Sequence, residues 1–146
     1  MSKLIPWLTP FGDAFYPSVF ASFVKRIDGS DSLSVVVAPG GVGEYPRFIV
    51  EFEEVLVFSC FDESCAPRRE WGDTEITEAK SCAWQWIDSP WIQSYEGCNY
   101  DASGNPIPLH HYLIFGGDNI VEVISRRVPA IEVTREPRRT ETVFEF

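Results

Sequence analysis

The stretch "HHYLIFGGDNIVEVIS", residues 110–125, constrains the fold more than any other part of the chain. Two apolar runs rich in β-branched and aromatic residues flank Gly-Gly-Asp-Asn, which offers the positive-φ residues of a tight hairpin turn. Side chains alternate along a strand, so His111, Leu113 and Phe115 share one face and His110, Tyr112 and Ile114 the other. Both faces are apolar. The pattern predicts central strands buried on both sides, with a sheet against one face and a helix against the other. It also makes the two imidazoles diverge, so a regular strand cannot bring both to one metal ion.

Other runs extend this hairpin. Residues 47–60, "RFIVEFEEVLVFSC", place Phe48, Val50 and Phe52 on one face and Ile49, Glu51 and Glu53 on the other. Unbroken alternation would bury Glu54 beside Phe52. The stretch therefore predicts either a long strand whose bulge turns Val55 and Val57 inward, or two strands meeting at an acidic corner. Residues 19–27 and 33–38, separated by Asp-Gly-Ser-Asp-Ser, read as a second hairpin. Residues 131–134 read as a short strand, and "TVFEF" at 142–146 as an added edge strand. In "CAWQWIDSPWIQSY", Asp88 or Ser89 can cap a helix over 89–96 with Pro90 at its first position, and Trp91 and Tyr95 then lie on one face. The polar stretch 61–81 reads as a long surface excursion and a candidate contact region. The expected architecture is one α+β domain over 1–146. It comprises a mainly antiparallel, twisted sheet or partly open barrel with one short helix packed on it, a Pro- and aromatic-bearing arm at 1–17 and an Arg-rich tail at 134–146.

A formal net charge of −10 opposes contact with nucleic acid or with an anionic membrane surface, since both require Lys and Arg to neutralise phosphates. The acids from Glu51 to Glu78 face only Arg68 and Arg69, whereas Arg126, Arg127, Arg135, Arg138 and Arg139 outnumber Glu132 and Glu136. Such segregation can steer a basic partner or draw the two segments of the chain together. Pro6, Pro10, Asp13 and Pro17 interrupt the apolar start of the chain, so no secretory leader is expected and a cytoplasmic location is. In that compartment Cys60, Cys65, Cys82 and Cys98 are expected as thiols. Their spacing lacks the close C-x2-C pair that starts a zinc site. "DASGNPIP" opens like a calcium loop but has Pro106 where that loop needs Gly and Tyr112 where it needs Glu. The Gly-rich 39–46 lacks the Lys-Ser/Thr ending of a phosphate loop. No metal and no cofactor are expected.

Three functional readings remain. The first is a non-enzymatic protein-binding module whose acids Glu53, Glu54, Asp62, Glu63, Glu70, Asp73 and Glu75 meet a basic protein. The second is a small-molecule or hydrolytic pocket lined by Trp84, Trp86, Trp91, His111 and Tyr112 with a cysteine nearby, which demands a deep cavity at His111. The third is a structural subunit whose apolar strand edges pair in a homodimer. The order "YPRFIVEFEEVLVFSCFDES", "SPWIQSY", "HHYLIFGGDNIVEVIS" resembles a pattern in small, acidic, uncharacterised bacterial proteins. Chains of this size and acidity are similar to the immunity proteins of bacterial toxin systems. The resemblance implies a protein that neutralises a toxin by covering it, and it carries no catalytic residues with it.

Overall fold

A computed structural model describes residues 2–25, 27–29, 31–62, 75–76, 81–95, 97 and 99–136. In chain order the elements are β1 (Lys3–Pro6), β2 (Ser18–Val24), β3 (Ser32–Ala38), β4 (Arg47–Glu53), β5 (Val55–Asp62), β6 (Glu75–Ile76), β7 (Ala83–Ile87), α1 (Pro90–Tyr95), β8 (His110–Phe115), β9 (Asn119–Ser125) and β10 (Ala130–Thr134). They form two sheets, a six-stranded one in the order β5-β9-β8-β7-β1-β6 and a four-stranded one in the order β10-β4-β3-β2. All pairings are antiparallel except that of β1 with β6. The antiparallel expectation with one short helix holds in that form. The sheets are open rather than closed into a barrel, and with a single six-residue helix among the described residues the fold is mainly β.

Residues 47–60 break at the acidic corner. Glu54 adopts φ 51°, which ends β4 in the four-stranded sheet and starts β5 in the six-stranded one. A residue in this left-handed region cannot continue a strand, so the backbone turns there and Phe52 remains the last inward residue of β4. The carbonyl of Glu54 accepts the N–H of Arg126 at 3.1 Å, tying the corner to the end of β9.

The inner faces of the two sheets enclose Leu33, Val35, Val37, Phe48, Val50, Phe52, Tyr112, Ile114, Val121 and Val123. The N-terminal residues join this core: Trp7 lies 4.6 Å from the Tyr112 ring and 6.4 Å from Phe11. Instead of forming an arm throughout, the chain start inserts β1 between β7 and β6. The outer face of the six-stranded sheet carries a second apolar cluster, Leu4, Trp84, Trp86 and Leu113, with Trp91 of α1 and Phe115 packed against it. Strands β8 and β9 are buried along nearly their whole length, and β8 lies between the inter-sheet core and the helix-side cluster, as apolar residues on both faces predict.

The turn of the β8–β9 hairpin departs from expectation in one respect. Neither Gly116 nor Gly117 takes a positive φ. The constraint at Gly116 is space: a Cβ there would lie 2.7 Å from Asn119 Oδ1 and 2.9 Å from Val19 Cγ2. Gly117 N–H donates to the Pro17 carbonyl and Asn119 Nδ2 to the Val19 carbonyl, both at 2.9 Å, so the turn is laced to the start of β2.

Candidate functional site

The outer face of the six-stranded sheet carries an acid within an otherwise apolar strand. Glu122 is 7% exposed in the middle of β9. The hairpin register sets it opposite Leu113, and a diagonal step along β8 leads to His111. His111 is fully buried, and its Nε2 lies 3.1 Å from Glu122 Oε1. Its Nδ1 lies 2.7 Å from the hydroxyl of Ser89, which is also fully buried. Ser89 is the N-cap of α1. Its Oγ accepts the N–H of Trp91 at 3.1 Å and of Ile92 at 3.4 Å. Pro90 follows as the first helical residue, where its missing N–H costs nothing. The donor and acceptor inventory closes in one direction. With Glu122 accepting from Nε2–H, Nδ1 carries the lone pair and receives the Ser89 hydroxyl proton, which leaves the serine lone pairs to the two helix N–H groups.

Above this chain lies a cleft of about 640 Å³. One wall is the end of β7 with Gln85, Trp86, Ile87 and Asp88, and a second is α1 with Ile92 and Gln93. The third is the loop from Tyr100 to Leu109, which leads into His110 and His111. The loop is held by its own bonds. Asp101 Oδ1 accepts the N–H groups of Ser103 and Asn105, and Ile107 N–H donates to the buried Asn99, whose Oδ1 accepts Arg126 Nε at 2.7 Å. Trp86 packs its indole against the His111 imidazole at 4.9 Å and 39°. Asp88, with φ 52°, makes the bend from β7 into the helix cap.

The residues proposed for a pocket thus separate. Trp86 and His111 line the cleft. Trp84 sits in the apolar cluster, its indole N–H donating to the Ser81 carbonyl at 2.8 Å, and Trp91 packs on that cluster from the helix. Tyr112 is on the opposite face of β8 in the inter-sheet core, where burial pushes its hydroxyl up to about 12. Neither described cysteine is beside His111. Cys82 is buried at the far end of β8, where its carbonyl accepts Phe115 N–H. Burial and, to a smaller degree, Asp13 push its thiol up to about 11, against backbone hydrogen bonds that pull it down. Cys60 is exposed on β5 and bonded by Asn119 at the turn; it pairs with Val121 and His111 with Ile124, so the two lie about 10 Å apart along β9 and two strand spacings apart across the sheet. Cys65 and Cys98 lie outside the described residues.

Of the acidic contact residues, Glu53 and Glu54 lie at the β4–β5 corner, where Arg127 reaches both carboxylates, at 3.4 Å and 2.5 Å. Asp62 is exposed at the end of β5. Glu63, Glu70 and Asp73 lie outside the described residues, as does the side chain of Glu75. Sequence reasoning missed Ser89 as a partner of His111, and it missed Glu122 altogether. The signal for Glu122 was an acid at the centre of "IVEVIS", a strand with no solvent-facing side, which requires a polar partner nearby.

Ser, His and Glu in this order suggest acyl transfer, but the arrangement does not fit it. The hydroxyl is enclosed, its lone pairs are taken by two helix N–H groups, and no backbone N–H follows it at Pro90 to stabilise an oxyanion. The chain of bonds braces the cleft by joining the helix cap to the centre of the hairpin. Among the described residues no cluster of His, Cys, Asp and Glu is arranged to hold a metal ion, and no helix is long and apolar enough to cross a membrane. In comparisons with known proteins, no family model, no curated protein and no solved structure matches the chain.

Proposed function

We propose that this protein is a non-enzymatic binding module that takes a segment of a basic partner protein into the cleft beside α1, as an immunity-like inhibitor would. The observation that supports this reading is a preformed cleft whose wall is pinned by a fully buried imidazole with both ring nitrogens engaged. The histidine is spent on rigidity. Among the described residues, the lining left for an occupant consists of side-chain amides, a tyrosine, the His110 imidazole, apolar groups and one carboxylate, which is recognition chemistry. A rigid site also loses less free energy on binding, because its walls are ordered beforehand. The acidic corner contributes less than its composition suggests, since Arg127 already answers Glu53 and Glu54.

Capture experiments test this with three baits: the unaltered protein, the cleft variant Gln93→Ala/Tyr100→Ala, and the corner variant Glu53→Lys/Glu54→Lys. The reading expects one stoichiometric basic protein, held by the unaltered and corner baits and lost from the cleft variant. Loss from the corner variant alone would move the contact surface to the acids. Capture indifferent to both variants, or covalent labelling of Ser89 by a fluorophosphonate, would overturn the reading.

A further inference from the structure

Strand β2 is the outermost strand of the four-stranded sheet. The opposite edge, β10, carries an exposed Glu132 at its middle, whereas β2 has neither a charged residue nor a proline, the usual devices against pairing with another chain. Its free backbone groups follow from their neighbours. The Pro17 and Val19 carbonyls accept from Gly117 N–H and Asn119 Nδ2, both at 2.9 Å, so both point away from β3. An antiparallel strand turns its N–H and C=O groups toward and away from a neighbour at alternate residues. Ala21 and Phe23 therefore aim both groups out of the sheet, where no strand receives them among the described residues. Phe20, Phe23 and Val24 are exposed beside them, and Phe23 stacks at 5.0 Å on the exposed Phe58 of β5, an edge of the other sheet. We infer that this edge pairs with the same edge of a second copy of the chain, antiparallel about a two-fold axis at Ser22.

The edge is its own complement. With Ser22 opposite Ser22, Ala21 of each copy faces Phe23 of the other, and the outward groups of each pair exchange both N–H···O bonds. On the outer face Phe20 of each copy meets Val24 of the other, an aromatic against a β-branched side chain, while on the inner face the small Ala21 leaves room for Phe23. The strand ends at Val24, and this register brings Lys25 of one copy level with Val19 of the other. There a groove of about 450 Å³ runs between Tyr16, Phe20, Val42 and the β8–β9 turn, with Asp118 as its one carboxylate and no cation among the described residues. Lys25 thus meets an opposite charge across the axis, and the seam between holds no acid despite the net charge of −10. Tyr16, Phe20, Phe23 and Phe58 are 64%, 50%, 39% and 38% exposed, which leaves about 400 Å² of aromatic surface on each copy. With Val24, Val42 and the paired backbone, two copies bury about 1,000–1,200 Å² in total, the lower limit of specific interfaces. This surface shares no residue with the cleft beside α1.

Sedimentation of the full chain at increasing concentration, up to ~300 μM, tests this. The expected result is a monomer–dimer equilibrium with Kd of about 10–100 μM. Ser22 is exposed, so its variants keep the fold. Ser22→Lys and Ser22→Glu each set like charges against one another on the axis, and each should weaken the dimer at least about tenfold. Lys25→Glu should weaken it about two- to fivefold, and Lys25→Glu/Asp118→Lys should restore it. Ser22→Cys, oxidised, should join two copies through position 22 in peptide maps, because residues opposed in a non-hydrogen-bonded pair lie within disulfide reach. Ser18→Cys, off the axis, should not. A chain that stays monomeric over this range would overturn the inference, even if the edge captured a strand of another protein. A dimer indifferent to both charges at Ser22, or one in which Ser22→Cys forms no such bridge, would overturn it as well.

Discussion

Replacing Ser89 with alanine removes one oxygen that serves three hydrogen bonds. Loss of an N-cap costs about 1 kcal/mol, and α1 has only six residues over which to absorb it. The same substitution leaves His111 Nδ1, fully enclosed, without a donor, which adds about 1–3 kcal/mol for a buried unsatisfied acceptor. Together these predict a loss of about 3 kcal/mol, or roughly 6–12 °C in Tm for a domain of this size. Denaturant unfolding and calorimetry in one buffer would measure it. Ser89→Thr keeps the hydroxyl and should recover most of the loss. Ser94→Ala removes an exposed hydroxyl that donates to the Trp91 carbonyl and should stay within about 0.5 kcal/mol. Because Ser89 and His111 share a bond, Ser89→Ala/His111→Phe should cost less than the sum of its single changes. A loss of about 1 kcal/mol or less for Ser89→Ala, with additive behaviour in the double variant, would refute the claim that this chain of bonds braces the cleft.

Tyr112 should make stability fall in alkali. Its hydroxyl titrates near 10 when unfolded and at about 12 when folded, so between those values the unfolded state sheds its proton first and stability drops as pH rises. Tyr112→Phe should flatten that decline in urea melts taken from pH 9.5 to 12. Maleimide labelling at pH 8 with peptide mapping should modify Cys60 in the folded protein and Cys82 only after denaturation, because Cys82 is buried and its thiol, held at about 11, carries little thiolate. Gly116→Ala should cost about 1–3 kcal/mol by thermal melt, since its Cβ meets Asn119 and Val19 within 3 Å. Glu54→Gly should leave stability within about 0.5 kcal/mol, with relief of the positive φ offsetting a surface ion pair, whereas Glu54→Val should lose about 1–2 kcal/mol.

Much of the framework was legible because its determinants are local. Period-two alternation marked Phe48, Val50 and Phe52 as one buried face, and they are buried. Asp88-Ser89-Pro90 announced a capped helix because the capping oxygen and the first helical N–H groups lie within three residues of each other. The runs of β8 and β9, apolar on both faces, required burial on both sides, which the inter-sheet core and, for β8, the α1 cluster supply. The glycines of the turn were assigned to the right place for the wrong reason. Gly116 is crowded by Asn119 within the turn and by Val19, and Gly117 lies against Tyr16 and Pro17; these last three are about a hundred residues away in sequence, and no local pattern carries them.

The candidate site was less legible for the same reason. Trp84, Trp86 and Trp91 are close in sequence, but a strand followed by a capped bend sends them to different tasks, and only Trp86 reaches the cleft. The acids Glu53 and Glu54 read either as a surface for a basic partner or as a match for the chain's own arginines, and only the return of β9, which brings Arg127 across them, distinguishes the two. What the amino-acid order determined by itself was short-range: strand alternation, turn positions, the helix cap, and an excess of negative charge that disfavours anionic partners. What only the tertiary structure decided was which strands share a sheet, that β1 inserts beside β7, and that Ser89, His111 and Glu122 form one chain of bonds beneath a cleft built from separate segments. Backbone conformation responds to neighbours a few residues away. Pairing a buried polar group depends on the register and packing of distant ones, and these are fixed only when the whole core closes.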